Sequence, residues 1–142
     1  MKVVIVRDAP ENIKQLMASQ FPPEWHIVVV APEFLLSEIA EADALIPEGS
    51  PIESAHLTKA GNLKIIQTGA GYDNLDIDAC ARRGIHVAHA AGINARAVAE
   101  HVLALIFCRY KNIIKLDAAL KNGQWGVAYE GSELSDKVLG VV

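Results

Sequence analysis

Cysteine is nearly missing from this 142-residue sequence: Cys80 and Cys108 are the only two, too few for a disulfide framework. Both are expected to be reduced and packed, as in a cytoplasmic protein. Basic clusters are missing too. No run of Lys and Arg exceeds the pair Arg82-Arg83, and the formal net charge is −4, so neither nucleic acid nor an anionic membrane surface is the expected partner. Long apolar runs are also absent, since Val102–Cys108 falls far short of the roughly 18 residues a membrane span needs. The early apolar run Val3–Val6 is broken by Arg7-Asp8, too short for a signal peptide, and reads as a strand. No internal repeat or low-complexity segment is present. What remains is 51% apolar and 21% charged, a globular, soluble composition with little room for disorder. The length suits one domain and part of another.

Five times, a short apolar run precedes a helical pattern. Lys2–Arg7 reads as a strand, and Pro10 opens a helix through Ile13, Leu16 and Met17 that Pro22-Pro23 ends. His26–Val30 is a second strand, followed by a helix through Phe34, Leu35 and Ile39. Ala44–Ile46 is a third, closed by Pro47-Glu48-Gly49-Ser50-Pro51, and a helix over Glu53–Ala60 then ends at Gly61-Asn62 as its C-cap. Leu63–Gln67 is the fourth. Asp76 is placed to N-cap a helix over Ile77–Arg83, Gly84 follows its end, and Ile85–Ala88 is the fifth strand. These strands are apolar on both faces, as a parallel sheet covered by helices requires. Strict alternation with short loops predicts an α/β fold, a flavodoxin-like doubly wound parallel sheet of about five strands with right-handed crossovers.

From Ala95 the pattern changes. A helix runs through Val98, Val102, Leu105, Ile106 and Arg109, then past a break to Leu116 and Leu120. It is apolar nearly all round from Val102 to Phe107, so a second domain or a second subunit is expected to cover it. Gly123-Gln124-Trp125-Gly126 ends this arm, and Lys137–Val142 reads as a buried strand without a partner in the chain. The expected organisation is a flavodoxin-like domain over 1–94 and a helical interdomain or dimerisation arm over 95–126. A linker and the first strand of a nucleotide-binding domain are expected over 127–142.

The loop Gln67-Thr68-Gly69-Ala70-Gly71-Tyr72-Asp73-Asn74 leaves the fourth strand at its carboxyl end, where open α/β sheets place ligands. Gly69 and Gly71 permit close backbone approach, so the N–H groups of Ala70 and Gly71 can face an anion. Each such bond to a carboxylate contributes about 1.5–3 kcal/mol. The loop departs from the dinucleotide fingerprint at Asn74, where a third glycine is expected. From pattern alone it serves equally as a ligand loop or as a tight corner. Asn94, at the end of the loop from His89, is placed both to N-cap the long helix and to reach a ligand. His86 and His89 have no carboxylate or Cys to complete a metal set. Glu100-His101 reads as buried or interface hydrogen bonding rather than acid–base chemistry, and Arg96 and Arg109 read as ion-pairing residues. No Ser/His/Asp, Cys/His or zinc pattern is readable, and no residue is assigned a catalytic or metal-binding role.

The segment Asn62-Leu63-Lys64-Ile65-Ile66-Gln67-Thr68-Gly69-Ala70-Gly71-Tyr72-Asp73-Asn74-Leu75-Asp76 resembles one typical of D-isomer-specific 2-hydroxyacid dehydrogenases. Arg83-Gly84-Ile85-His86-Val87 follows at the family's distance, then Gly92-Ile93-Asn94 with Ala97-Val98-Ala99-Glu100-His101, and Gly123-Gln124-Trp125 falls in family order. The resemblance spans essentially the whole chain. It implies a flavodoxin-like substrate domain joined to a Rossmann domain, with the active site in the cleft between them. The family includes glyoxylate and hydroxypyruvate reductases and phosphoglycerate, D-lactate and formate dehydrogenases. The resemblance thus implies an oxidoreductase that interconverts a 2-keto acid and a D-2-hydroxy acid by hydride transfer, with NAD or NADP as cofactor.

By the same likeness, the amides of Ala70 and Gly71 hold the substrate carboxylate, Asn94 lines the pocket, and Glu48, Gly49 and Ser50 form part of its wall. The helix from Ala95 resembles the segment through which members form homodimers. The family often has Asn and Pro where this chain has His89 and Ala91. The Gly-x-Gly-x-x-Gly turn expected after the strand ending at Val142 is absent, as are the later Arg, carboxylate and His that the family uses. The chain is therefore expected to be a substrate-domain fragment, inactive alone, with no tight cofactor binding and its cofactor-binding residues unassigned. The competing reading is a stand-alone, non-catalytic flavodoxin-like module that binds a small anion or regulates a partner.

Overall fold

A computed structural model describes residues 1–128 and 130–141. The chain divides into two compact units, Met1–Ile93 and Asn94–Val142. In the first, the strands are β1 (Lys2–Val6), β2 (His26–Val30), β3 (Ala44–Ile46), β4 (Ile65–Thr68) and β5 (His86–His89). Its helices are α1 (Glu11–Ala18), α2 (Leu35–Glu38), α3 (Ser54–Lys59) and α4 (Ile77–Arg82), with 3-10 turns at Pro32–Phe34 and Ile39–Glu41 flanking α2. All strand pairs are parallel, in the order β2-β1-β3-β4-β5. The chain winds outward from β1 to β2, then crosses back to β3 and continues to β5. That is the doubly wound α/β topology the alternation predicts.

Side chains alternate across the sheet, so each strand serves two faces. Val4 and Val6 of β1, Leu45 of β3 and Ile66 of β4 pack with Leu35, Ile39, Leu57, Ala79 and Cys80 in one core under α2, α3 and α4. Val3 and Ile5 are equally buried on the opposite side, where Ile5 and Ile46 meet Met17 and Phe21 along a small crevice beside α1. Each fully buried Val, Leu or Ile contributes about 1.5–3 kcal/mol, so the β1–β3–β4 centre carries most of the stabilisation. Cys80 lies in this core while Cys108 is half-exposed, and both are free thiols. Burial pushes the Cys80 thiol up, and the Asp76 carboxylate adds to the shift.

Helix ends follow local chemistry in part. Asp76 caps α4 as expected, its Oδ1 accepting from Ala79 N–H at 2.9 Å, and Gly84 takes φ 68 just past the end. Gly61 does not play the expected left-handed C-cap: Ala60 ends α3 at φ −80, ψ 78, and Gly61 keeps a non-positive φ. Near the other end of α3, Glu53 and His56 form a reciprocal capping box.

The second unit holds α5 (Ala95–Tyr110) and α6 (Ile113–Lys121). The expected break falls at Lys111-Asn112, where Asn112 takes φ 53 and its Nδ2 donates to Glu130 O at 2.7 Å. Asn94 occupies the N-cap of α5, but its side chain makes no cap hydrogen bond. α5 buries no residue, and Leu103, Leu105 and Phe107 all stay exposed. Residues 137–141 form no strand, because a strand needs a ladder partner and none is offered among the described residues. Val138 and Val141 are exposed there, and Val142 lies outside the described residues. Among the described residues no helix is long and apolar enough to cross a membrane.

Candidate functional site

At the carboxyl ends of β3 and β4 lies a cavity of about 500 Å³ lined by Ile46, Glu48, Gly49, Gln67, Thr68, Gly69, Ala70, Gly71 and Asn74. Its walls are two loops, each shaped by its own hydrogen bonds. After β3, Ser50 N–H donates to Pro47 O at 2.7 Å, with Glu48 at φ 46 and Gly49 at φ 91 between them. Two successive left-handed residues closed by that bond make a type I′ turn. Gly49 takes this conformation freely, whereas Glu48 does so under strain of about 1–2 kcal/mol. Arg7 from the end of β1 meets Glu48 at 3.0 Å and neutralises the one carboxylate on the cavity wall.

The loop after β4 is held from both sides. Asn74 Nδ2 donates to Ser50 O at 2.7 Å, and Ile52 N–H donates to Asn74 O at 2.8 Å, stapling the two walls together. From the β5 side, Ala90 N–H donates to Gly69 O at 2.8 Å. The peptide after Gly69 is trans, so its N–H, that of Ala70, points opposite to its C=O. Since β3 and β5 flank β4 on opposite sides, the Ala70 N–H is aimed away from β5, towards the cavity. Among the described residues, neither the Ala70 nor the Gly71 N–H donates to a protein acceptor, and both residues are exposed. His89 Nδ1 lies 3.4 Å from Ala70 O, and the His89 ring meets Tyr72 edge-on at 5.1 Å. Thr68 is buried beneath the corner, with its hydroxyl 3.5 Å from Ala88 O.

Gly69 and Gly71 are not required by the turn. Neither has a positive φ, a Cβ on Gly69 would meet nothing within 4 Å, and one on Gly71 would meet only Asp73 Oδ2 at 3.4 Å. The space beside Gly69 is open, while the Asp73 carboxylate stands next to Gly71.

Four of the five expected site residues, Glu48, Gly49, Ala70 and Gly71, line this one cavity. The fifth, Asn94, belongs to the second unit. Sequence reasoning missed Asn74 as a strut, Arg7 as the partner of Glu48, and Gln67 and Thr68 as lining. No local signal could have found the first two, whose partners lie 24 and 41 residues away. The corner does not fit a dinucleotide. Asn74 stands in place of the third glycine with its amide committed to Ser50, and α4 starts only at Ile77.

The model of the D-isomer specific 2-hydroxyacid dehydrogenase catalytic domain matches residues 3–135. The chain belongs to the D-isomer specific 2-hydroxyacid dehydrogenase family. It is 33% identical to a glyoxylate reductase of Pyrococcus furiosus, over 99% of this chain and 46% of that protein. It is 34% identical to a D-3-phosphoglycerate dehydrogenase of Mycobacterium bovis, over 100% of this chain and 28% of that one. The chain thus spans less than half the length of either relative. Its fold is also that of an acyclic imino acid reductase solved with NADPH and D-arginine, at TM-score 0.77 and 23% identity, covering 96% of this chain and 47% of that one.

Proposed function

We propose that the glycine corner binds the carboxylate of a small 2-keto or D-2-hydroxy acid, of the glyoxylate, hydroxypyruvate or phosphoglycerate type. The observation that carries this reading is the pair of unpaired amides at Ala70 and Gly71, two residues lining a cavity on whose wall the Glu48 carboxylate is paired with Arg7. Two such bonds, offset by the freedom the ligand loses, correspond to millimolar binding, about −4 kcal/mol.

In this reading the full-length protein is an oxidoreductase that uses NAD or NADP. Hydride transfer needs a nicotinamide, a cation to polarise the carbonyl and a proton donor. None of the residues lining the cavity is a cation, and the corner does not suit a dinucleotide, so the 142-residue chain serves as a substrate domain and is inactive alone. Residues 1–94 are the substrate domain, 95–126 the arm, and 127–142 the lead into a nucleotide-binding domain. The exposed apolar surface of α5 is the motive for a homodimer through this arm, and the reduced cysteines fit a cytoplasmic protein.

The test follows NAD(P)H consumption by full-length protein with glyoxylate and hydroxypyruvate. Gly71→Ala keeps the N–H but adds a methyl group on the cavity wall, and is expected to raise KM for the keto acid about tenfold while leaving KM for the cofactor unchanged. Turnover by the 142-residue chain alone would overturn the assignment of its role.

A further inference from the structure

We propose that His89 is a positioning residue that aims the Gly71 N–H into the cavity by donating its Nδ1 proton to Ala70 O. The inference rests on the carboxylate reading of the corner and names the residue that sets its geometry. The peptide joining Ala70 to Gly71 is trans, so whatever holds its C=O fixes the opposite direction of its N–H. The group facing that oxygen is His89 Nδ1, at 3.4 Å. A carbonyl oxygen only accepts, so the contact is a hydrogen bond only with the proton on Nδ1.

The neighbouring peptide is held in the same sense by Ala90 N–H on Gly69 O at 2.8 Å. Consecutive residues of β5 and its exit thus clamp consecutive carbonyls of the corner, and each clamp presents one amide to the cavity. A donor on a peptide oxygen also polarises that peptide and strengthens its own N–H as a donor. Tyr72, which follows Gly71, packs edge-on against the His89 ring at an interplanar angle of 80° and restrains the ring. No metal set or ion pair involving His89 is present among the described residues, which leaves the clamp as the one use of its ring nitrogen.

Asn carries an amide nitrogen one bond from Cγ, where His carries Nδ1, so His89→Asn preserves a donor at the same place. Phe keeps the ring against Tyr72 but has nothing to donate. The experiment is an amide-resolved NMR titration of the ¹⁵N-labelled chain with glyoxylate, in wild type, His89→Asn, His89→Phe and His89→Ala. Phe and Ala are expected to weaken binding about fivefold, while Asn stays within about twofold of wild type. Without ligand, the Gly71 amide proton is expected to move upfield in Phe and Ala and to hold its place in Asn.

Phe and Ala variants that bind as wild type does, with the Gly71 proton unmoved, would overturn the proposal. So would an Asn variant as weak as the Phe variant, because the ring rather than the donor would then matter. Should Phe not fold, Ala carries the same comparison. Absence of glyoxylate binding by wild type would sink the carboxylate reading instead, and the ligand-free Gly71 proton would still decide the clamp.

Discussion

Gly69 and Gly71 differ from the glycines this chain uses for turning. Gly49 and Gly84 sit at φ 91 and φ 68, where a side chain is strained, whereas neither corner glycine has a positive φ. Alanine at Gly49 or Gly84 is therefore expected to lose about 1–2 kcal/mol of stability in urea unfolding, although a Cβ there meets nothing. Alanine at Gly69 is expected to be neutral or to stabilise by up to about 1 kcal/mol, through the unfolded chain. It should nonetheless weaken carboxylate binding, because its methyl group would occupy the space above the amides. Equal destabilisation at Gly49 and Gly69 would mean that the corner glycines serve the turn.

Among the elements, Asp43 joins the leading ends of three strands. Its carboxylate accepts from Lys2 N–H at 2.8 Å and from Lys64 Nζ at 3.1 Å, while its backbone pairs with Lys2 O and Lys64 N–H. The Lys2 amide first, and Lys64 second, hold the Asp43 carboxyl below its usual value. A lowered folded pKa gives stability that is present above the unfolded value of about 3.9 and is lost as pH falls through the folded one. Asp43→Asn should therefore lower the urea midpoint near neutral pH, with a difference from wild type that shrinks below about pH 4. A difference independent of pH would contradict this. Such ties between distant loops were illegible in the sequence, while the elements they join were readable from apolar runs. β2 and β3 fall where the pattern puts them, but Leu63, expected to start β4, is buried ahead of a ladder whose first pair is Ala44 with Ile65. The helix expected through Phe34 and Ile39 breaks into short turns. In the site, the glycines were visible because they stand together in the loop that leaves β4, and the Glu48-Gly49 wall was visible through the family resemblance. The strut at Asn74 and the pair Arg7–Glu48 were not, because their partners come from other elements.

At the scale of the molecule, α5 poses a question of surface. A 16-residue helix that buries none of its side chains, with Leu105 at 55% and Phe107 at 44% exposure, leaves apolar area for another surface to cover. Sedimentation is expected to show a dimer that Leu105→Glu dissociates, and a monomer at every concentration would contradict the homodimer. The doubly wound sheet places its cavity at the carboxyl ends of β3 and β4, and everything proposed about chemistry depends on two amides there being free for an acid group. The most direct measurement is an amide-resolved titration of the wild-type chain with glyoxylate, with a neutral aldehyde of similar size as control. The largest saturable shifts are expected at Ala70 and Gly71 with the acid and not with the control. Shifts concentrated elsewhere, or equal for the two compounds, would contradict the carboxylate site.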